Sequence, residues 1–481
     1  MSSFKENQKK LEELAHGNIG KLLLKYSWPA LISMTLNALY AVVDRIFIGQ
    51  GCGVDAMAGL QLAMPVMMFL GCFGPLIGVG HGALLSIKLG QNDRQTCEKI
   101  VGEVIALKVL IFFTLTPLLF WNLDTVLAWC GANKVTPGAA AAAKYYLEIV
   151  LFSHLFSHLA FGLSAQQRAE GGAIRSMLCM VVGFGVNMVL DPILIFGFNM
   201  GIAGAAWATN IAMFLSCLWA FQYYLRGKTI VRLRWQRIWI YPEFVLRALG
   251  IGLAPFLQQM ASAAIVASLQ IAFAKWMPDE ASRTSQIVSL GVFNSVLILT
   301  FMPVIGAEQG LQPIIGYNWG ARDFKRVLSA IKVGFLVTTT LCVFAWAIQF
   351  FEPFPTFLAR MFISSDQSEI IRIASHDLQL SNCMIWCISI NVLATVYFQS
   401  IGKPKTAIIL SLLRQVVCLL PCIWILPYFF NDKAFAIWVS MPVSDVLCQL
   451  ASIPPWISQL TFLRRVRSKG PSSSGCKGGA V

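Results

Sequence analysis

Charged side chains are scarce in this chain: Asp, Glu, Lys and Arg together make up 12% of its 481 residues. Soluble domains contain about 25% charged residues, whereas here 57% of the residues are hydrophobic. So few charges cannot cover the apolar surface of a soluble fold of this size. The same composition excludes a disordered chain and a nucleic-acid-binding protein, in spite of a formal net charge of +14. It indicates an integral membrane protein with many spans.

Motifs for nucleotide, metal and acyl-transfer chemistry are absent as well. No GxxxxGK[ST] loop occurs, so the chain has no nucleotide-driven motor of its own. No Ser-His-Asp or HExxH pattern stands out; His154 and His158 share a helix face, but a third ligand is missing and helix packing is favoured. The 13 cysteines are scattered through apolar runs, as small buried residues are. We therefore expect no enzyme and no cofactor, and the polar N-terminus shows no cleavable signal peptide.

Twelve apolar runs are long enough to span a bilayer, which takes about 20 residues. They lie at 22–47, 56–89, 100–121, 145–167, 173–197, 202–225, 244–275, 286–317, 327–350, 370–400, 405–429 and 434–462. The basic segment RGKTIVRLRWQR (226–237) separates the first six runs from the last six. We predict an all-α integral membrane protein with twelve transmembrane helices. Its predicted parts are an N-terminal segment (1–21), an N-terminal lobe (22–225), a basic linker (226–243), a C-terminal lobe (244–462) and a disordered tail (463–481).

Lys and Arg are unevenly distributed between the two sides of this topology. An even number of spans places both termini on one side, and that side holds 27 of the 37 Lys and Arg residues. Short loops rich in Lys and Arg face the cytoplasm. We therefore predict a multi-pass protein of the inner membrane whose termini and linker are all cytoplasmic.

The two halves of the chain are related in sequence. FGPLIGVGHG (73–82) aligns with FMPVIGAEQG (301–310), and RAEG (168–171) aligns with QSIG (399–402). Each half is therefore predicted to form one six-helix lobe, pseudo-symmetric with the other and in the same orientation. Parallel repeats of this kind form transporters whose substrate site lies between the halves, near the membrane midplane. The alternative is an old duplication without a mechanistic use.

Two acidic residues in the first half lie inside apolar runs, where an ionisable side chain is costly and marks a functional site by default. Asp44 ends the run LNALYAVVD and shares one helix face with Asn37 and Tyr40. Asp191 ends VGFGVNMVLDP, one helical turn after Asn187. The alternative is that both acids lie at span ends and are solvated by water among the lipid headgroups.

A hydroxyl group on the next span could complete a set of oxygen ligands. Thr209 lies there in GAAWATN, and if the three spans meet, two carboxylates, an amide and a hydroxyl converge in a dry pocket. Oxygen ligands of this kind suit a hard cation such as sodium. The same carboxylates could instead hold a proton, because two close carboxylates out of water cannot both ionise cheaply. Beyond this possible sodium ion, no metal is expected.

Two further acids lie in apolar runs of the second half. Glu308, followed by Gln309, stands in PVIGAEQGLQP, where Gly and Pro predict a broken or bent helix that exposes backbone to a cavity. Glu308 could attract a cationic substrate or carry a proton, or it could be a solvated acid at the cavity mouth. Asp445 stands in WVSMPVSDVLCQL, and an ion pair with Arg414 is favoured over a transport role.

Six segments from about Ile19 to Leu463 carry a family resemblance. They are ALYAVVDRIFIGQ (38–50), GVGHGALLSIKLGQND (78–93), RAEGG (168–172), VNMVLDPILIFGF (186–198), GIAGAAWATN (201–210) and GLQPIIGYNWGARD (310–323). With these segments in this order, the chain resembles bacterial transporters of the multidrug and toxic compound extrusion (MATE) family. The resemblance implies two six-helix lobes around a central cavity. It also implies export of organic cations or other amphipathic compounds, driven by inward flow of sodium or protons.

The cation site of this family has counterparts in the N-terminal lobe. The resemblance implies that the acid on the family's first helix matches Asp44, the Asn and Asp on the fifth match Asn187 and Asp191, and the Thr on the sixth matches Thr209. One bacterial branch also carries acids on helices seven and ten. Here helix seven reads GLAPFLQQMASAA and helix ten reads LSNCMIWCISINVLATVYFQ, both without an acid. The resemblance therefore favours coupling through the N-terminal lobe.

The function predicted from these features is that of a secondary active antiporter, monomeric, with a small cationic or amphipathic substrate. Its partners are that substrate and the lipid bilayer, and no nucleic acid is expected. A flippase for lipid-linked precursors on a related fold is the alternative within transport, and it would prefer a more cationic cavity. A passive channel and a membrane-embedded enzyme are the alternatives outside it, and the enzyme would need a catalytic constellation that the sequence lacks.

Overall fold

The computed structural model describes residues 12–130, 132, 136–226, 229–363 and 368–468. These residues form helices and short connections, with no β-strand among them. The α-helices are α1 (Ile19–Gly71), α2 (Phe73–Gly90), α3 (Arg94–Trp121), α4 (Leu123–Trp129), α5 (Pro137–Val150), α6 (Ser153–Ala169), α7 (Ala173–Pro192), α8 (Ile202–Leu225), α9 (Pro242–Trp276), α10 (Glu280–Gly320), α11 (Phe324–Phe350), α12 (Phe354–Arg360), α13 (Ser368–Asn382), α14 (Ser389–Ser400), α15 (Pro404–Leu412), α16 (Leu420–Ile425) and α17 (Lys433–Ser468). Short π-helices (Ile193–Gly197, Leu413–Leu419) and 3-10 helices (Trp235–Arg237, Ile385–Ile388, Leu426–Tyr428) join some of them.

The apolar helices agree with the predicted membrane architecture. Ten stretches of the described helices are long and apolar enough to cross a membrane, and α5 and α6 form an eleventh that bends by 52°. The remaining predicted run, 22–47, is helical in the first part of α1. The prediction of an all-α protein with twelve membrane-spanning segments is thus confirmed. A helix of 20 residues is about 30 Å long, the thickness of the hydrocarbon core.

Helix α1 contains a reversal of the chain that joins the first two predicted runs. Its residues 27–31 lie against residues 310–306 of α10, so this part of α1 is antiparallel to α10. Residues 79–87 of α2 lie against residues 312–320, so α2 is parallel to α10. The first two spans are therefore antiparallel to each other, although helical hydrogen bonding continues from residue 19 to residue 71.

The observed helix breaks differ in position from the break predicted from the sequence. The predicted break around Glu308 is not found, because α10 continues through Pro303 and Pro313. Each proline removes one backbone hydrogen bond, a loss that a helix packed between its neighbours tolerates. The breaks of the N-terminal half are at Cys72 between α1 and α2, and at residues 151–152 between α5 and α6. The π-helix after Pro192 agrees with the expected loss of a backbone donor at that proline.

The chain forms two lobes, α1–α8 and α9–α17, which we call the N-lobe and the C-lobe. They meet where α1 packs on α10 and α2 packs on α9 and α10. Glycines make this approach close: an added Cβ would come within 3.0 Å of a backbone atom of the opposite lobe at six positions. These positions, the glycine seam, are Gly80, Gly90, Gly252, Gly306, Gly310 and Gly320.

The glycine seam lies toward one face of the molecule, which we call the terminal side. Arg326, at the start of α11, donates to the carbonyl groups of Leu14 and Gly17 (3.2 and 2.8 Å), so the N-terminal residues lie there. The linker lies at the same face, because the Arg237 guanidinium donates to the carbonyl of Gln95 at the start of α3 (3.1 Å). The lobes are thus packed together at the terminal side.

The linker is bound to the N-lobe through hydrogen bonds and ion pairs with three carboxylates, two on α3 and one at the end of α6. The contacts are Glu170 with the N–H groups of Ile230 and Val231 (3.0 and 3.3 Å), Glu98 with Arg234 and Arg237 (3.0 and 2.7 Å), and Glu103 with the N–H of Tyr241 (2.6 Å). Arginines of the basic segment thus pair with acids of the same lobe. We infer that the linker moves with the N-lobe.

The ends of the chain agree only in part with the predicted boundaries. Helix α1 begins at Ile19, with the Asn18 side chain accepting from the N–H of Lys21 (3.2 Å). Helix α17 continues to Ser468, so residues 463–468 are helical and the prediction that they belong to a disordered tail is wrong. The sequence there, LRRVRS, contains no Gly or Pro that would end a helix. Residues 1–11 and 469–481 lie outside the described ranges.

Candidate functional site

Asp44 and Asp191 form a buried carboxyl pair in the N-lobe. Asp44 lies on α1 and Asp191 in the last turn of α7, and their side chains are within hydrogen-bonding range of each other. Asp44 is 7% exposed and Asp191 is fully buried. Two carboxylates in contact and out of water cannot both carry a charge unless a cation lies between them. The pair can therefore hold a proton or a small cation.

Asn187 and Thr209 extend this pair into a hydrogen-bonded cluster. The Asn187 amide nitrogen donates to Asp191 Oδ2 at 2.9 Å, and its oxygen accepts from the backbone N–H and the hydroxyl of Thr209 at 3.1 and 3.2 Å. The spacing of four residues places Asn187 one turn from Asp191 on α7, and Thr209 comes from the neighbouring α8. We call Asp44, Asn187, Asp191 and Thr209 the carboxylate cluster.

Aromatic side chains cover the carboxylate cluster. The Tyr40 hydroxyl is within hydrogen-bonding range of Thr209, and its ring stacks on Phe184 with 5.4 Å between centroids. Tyr146, on α5, is buried and lies within the electrostatic range of Asp44, Tyr40 and Asp191. Tyr146 could not be identified from the sequence, because a tyrosine inside an apolar run carries no signal of which span it faces. These rings reduce the access of water to the carboxyl pair.

The remaining sequence-predicted residues lie apart from the carboxylate cluster. Asn37 is exposed on α1, two turns before Asp44. Glu308 and Gln309 are half-buried on α10 in the C-lobe. Gln309 lines a small cavity between the lobes, beside Arg168 and Gln312. The structure thus joins Tyr40 to the cluster and leaves the other three outside it.

Asp445 belongs to a different electrostatic environment in the C-lobe. It is buried on α17 and forms an ion pair with Arg414, with 2.7 Å between Nε and Oδ1. Arg414 is the partner expected from the sequence. Glu308 is in the same region, because Cys342 is within electrostatic range of Glu308, Arg414 and Asp445. The C-lobe acid is thus compensated by a cationic side chain, whereas the charged group that acts on Asp191 is a second carboxylate.

The donor set of the N-lobe limits which ions it can hold. Among the described residues no three His, Cys, Asp or Glu side chains are grouped to hold a metal ion. The carboxylate cluster does contain two carboxyl groups, an amide and a hydroxyl, which are ligands for a hard cation. In the orientation that satisfies its hydrogen bonds, the Asn187 oxygen faces Thr209 and its nitrogen faces Asp191, so the amide acts as a donor to the carboxyl pair.

Comparison with known proteins agrees with this architecture. The MatE family model matches residues 29–193 and 280–425, one segment in each half of the chain. The chain is 26% identical over 440 residues to the multidrug export protein MepA of Staphylococcus aureus, covering 90% of this chain and 92% of that protein. It is 25% identical over 441 residues to MepA of Staphylococcus saprophyticus, covering 91% and 93%.

A solved structure is similar in fold over nearly the whole length. It is an outward-facing multidrug resistance MATE family transporter of the MOP superfamily, with a TM-score of 0.86, 20% identity, and coverage of 94% of this chain and 98% of that one. The prediction that the protein is a transporter and not an enzyme agrees with these relatives. Since the family model matches both halves, in agreement with the two six-helix lobes, the chain belongs to the MATE family of membrane transporters.

Proposed function

We propose that this protein is a secondary active antiporter that exports organic cations and other amphipathic compounds across a bacterial inner membrane. The observation that carries the proposal is the buried contact of Asp44 with Asp191, which needs a proton or a cation to be stable. The name of the Staphylococcus aureus relative, multidrug export protein, supports drug-like substrates.

The position of the cluster supports coupling between ion binding and movement of the lobes. Leu31 of α1 contacts Gly306 of the glycine seam, and Asp44 lies 13 residues further along α1. A helix of 13 residues is about 20 Å long. The cluster therefore lies toward the face opposite the terminal side. With the termini in the cytoplasm, the ion enters from outside while the lobes are packed at the cytoplasmic face. Each ligand shifts this balance only by its differential affinity for the two arrangements.

The orientation of the Asn187 amide supports a proton as the coupling ion. A donated N–H stabilises an ionised Asp191, and the carboxyl pair needs no further ligand to hold one proton. Sodium would need several oxygen ligands at about 2.3–2.6 Å, the range for the similarly sized calcium ion. To supply one, the Asn187 amide would have to turn by about half a turn from the orientation that satisfies its hydrogen bonds.

The proposal is tested by transport in proteoliposomes with sodium and proton gradients imposed separately. A fluorescent organic cation serves as the substrate probe. We expect accumulation against its gradient when a proton gradient is imposed, and none when both gradients are absent. Accumulation driven by sodium alone would assign sodium as the coupling ion. Movement that only equilibrates the dye under every condition would indicate a passive channel and would refute the antiporter.

Asn187→Ala and Thr209→Ala are expected to discriminate between the two ions. Under proton coupling, Asn187→Ala removes the donor to Asp191, so protonation becomes easier and the pH dependence of export shifts to higher pH. Under sodium coupling, both variants lose a ligand, so the sodium concentration for half-maximal export rises. Thr116→Ala, a buried threonine of α3 outside the cluster, is the control and should change neither quantity. Unchanged ion and pH dependence in both cluster variants would argue against a role for these residues.

Glu308 is proposed to aid cationic cargo. It is half-buried on α10, in the region of the Arg414–Asp445 pair, and its carboxylate would attract positive charge. Glu308→Gln is expected to weaken export of a cationic dye several-fold more than export of a neutral one, measured as initial rates in the same vesicles. The control is Glu369→Gln, an exposed acid on α13 that pairs with Arg372. Equal loss for both dyes would assign Glu308 a structural or coupling role.

A further inference from the structure

A buried lysine occupies the interior of the N-lobe, and no carboxylate in the described part of the chain pairs with it. Lys108, on α3, is 1% exposed, and its ammonium group donates to the carbonyl oxygens of Phe73 and Gly74 at 2.9 and 3.0 Å. Its stem packs along α6 at Gly162, where an added Cβ would lie 3.3 Å from the Lys108 Cε. A lysine at this depth is costly and rare, so its presence needs a reason beyond packing.

Two histidines lie beside this lysine. His154 and His158, one turn apart on α6, are 7% and 6% exposed, and their rings stack with 5.6 Å between centroids. The Nε2 atoms of both rings have no hydrogen-bond partner among the described residues. His158 Nδ1 would be 3.7 Å from a Cβ at Gly74, the residue whose carbonyl Lys108 binds. Lys108 and His158 therefore meet at the same point of α2.

Among the described residues, no acid interacts electrostatically with any of these three groups. The charge interactions of His158 are with Lys108 and His154. On α2, His81 faces Glu103 instead, at 3.3 Å, and on α6, Arg168 donates to Ser176. The titratable groups of α7 and α8 in this lobe include the thiols of Cys179 and Cys217, which are buried and uncharged. A dry pocket of three basic groups cannot carry several positive charges cheaply, because the charges repel each other and lose hydration.

The three basic groups lie at two helix breaks of the N-lobe. Phe73 and Gly74 directly follow the break at Cys72 between α1 and α2. His154 is the second residue of α6, after the break at residues 151–152, where the helix axis bends by 52°. The ammonium of Lys108 binds carbonyl oxygens at one break, and the imidazoles lie just after the other. A change in the charge of this group therefore acts on both of these breaks at once.

We propose that Lys108, His154 and His158 form a proton-binding site, separate from the carboxylate cluster, whose protonation acts on the two helix breaks. The first positive charge of the site lies on Lys108, whose ammonium donates to the carbonyl groups of Phe73 and Gly74. A second proton enters on His158 at acid pH, and its repulsion from Lys108 weakens the contacts with Phe73 and Gly74. The second protonation slows the movement of the lobe and therefore slows transport. This inference needs only transport of some solute by the chain and does not depend on which residues couple the ion.

The test is exchange of a labelled organic cation across proteoliposomes with equal pH and equal ion concentrations on both sides. Without a gradient, the rate reports the movement of the loaded protein and not the coupling at Asp44 and Asp191. We expect the wild-type rate to fall at acid pH. His158→Gln should remove this fall in rate at acid pH, the acid limb of the pH profile. His376→Gln, which changes an exposed histidine on α13, should leave the acid limb in place.

Two substitutions of Lys108 sharpen the test because only one of them removes the charge. Lys108→Met removes the repelling charge, so His158 accepts its proton more easily and the acid limb moves to higher pH by about one unit or more. Lys108→Arg keeps the charge at every pH, so the acid limb remains at the wild-type pH. A merely structural lysine would give rates lowered by one factor at every pH in both variants.

Direct titration gives a readout that does not depend on transport or on the folding of the lysine variants. The chain has five histidines, so 13C-histidine NMR spectra in micelles can be assigned by substitution. We expect the signal lost in His158→Gln to titrate at lower pH than that of His376. The proposal is overturned if His158 titrates like an exposed histidine, if the wild-type protein has no acid limb, or if His158→Gln retains it.

Discussion

Asp44→Asn and Asp191→Asn are each expected to reduce gradient-driven export to the level of liposomes without protein. The wild-type pair needs a proton or a cation because two buried carboxyl groups are in contact. An amide at either position removes one charge and leaves a single carboxylate with a neutral neighbour. That arrangement no longer requires the ion, so an imposed ion gradient no longer drives export. Exchange of substrate without a gradient should persist in both variants.

The control for these variants is Asp124→Asn. Asp124 is exposed on α4 in the same lobe and pairs with Lys144, so its loss should leave export unchanged. Size-exclusion profiles and thermal unfolding of all three variants check that the proteins are folded and inserted. Full gradient-driven export in both Asp44→Asn and Asp191→Asn would show that coupling lies elsewhere, with Glu308 or Asp445 as the next candidates. Loss of exchange as well would indicate a defect in the transport cycle itself.

Gly252→Ala and Gly80→Ala are expected to destabilise the arrangement in which the lobes are packed at the terminal side. An added methyl group at Gly252 would overlap the carbonyl oxygen of Leu76, and one at Gly80 would overlap that of Ala248. These are backbone atoms of the opposite lobe, so a rotamer change cannot relieve the overlap. Overpacking of this kind costs about 1–3 kcal/mol, which shifts a two-state population by about 5- to 150-fold.

The shift is measured as the distance between spin labels on Arg94 and Lys325, which are exposed at the terminal ends of α3 and α11 in different lobes. We expect a longer mean distance in both variants and a slower export rate. Gly291→Ala is the matched control, because Gly291 lies on α10 and an added Cβ there would meet nothing within 4 Å. An unchanged distance distribution in Gly252→Ala and Gly80→Ala would mean that the seam does not limit the approach of the lobes.

Features of the site that depend on spacing along one helix could be predicted from the sequence. Asn187 and Asp191 are four residues apart, so any α-helix places them on one face. Tyr40 and Asp44 are related in the same way on α1. The motifs shared with the MATE family linked these two faces to Thr209, and the hydrogen bonds of Asn187 with Asp191 and Thr209 bring these three side chains together.

Contacts between helices could not be read from the same patterns. Tyr146 approaches Asp44 and Asp191 from a third helix, and nothing in its run distinguishes it from a tyrosine facing lipid. Glu103 and Glu170 bind backbone N–H groups of the linker 60 or more residues away, a contact that no sequence pattern indicates. The proline-based expectation failed at Glu308, because neighbouring helices support α10 through Pro303 and Pro313.

The sequence by itself determined that this protein is a bundle of membrane-spanning helices in two related halves, because hydropathy and repetition are properties of the chain alone. It also determined which residues share a helix face, because the 3.6-residue period is the same in every helix. The tertiary structure established that Arg414, the partner expected from the sequence, neutralises Asp445, while Asp44 and Asp191 face each other. It alone placed Lys108 with two histidines at the helix breaks. The charge of a buried group depends on which groups reach it from other helices, and that is set by packing in three dimensions.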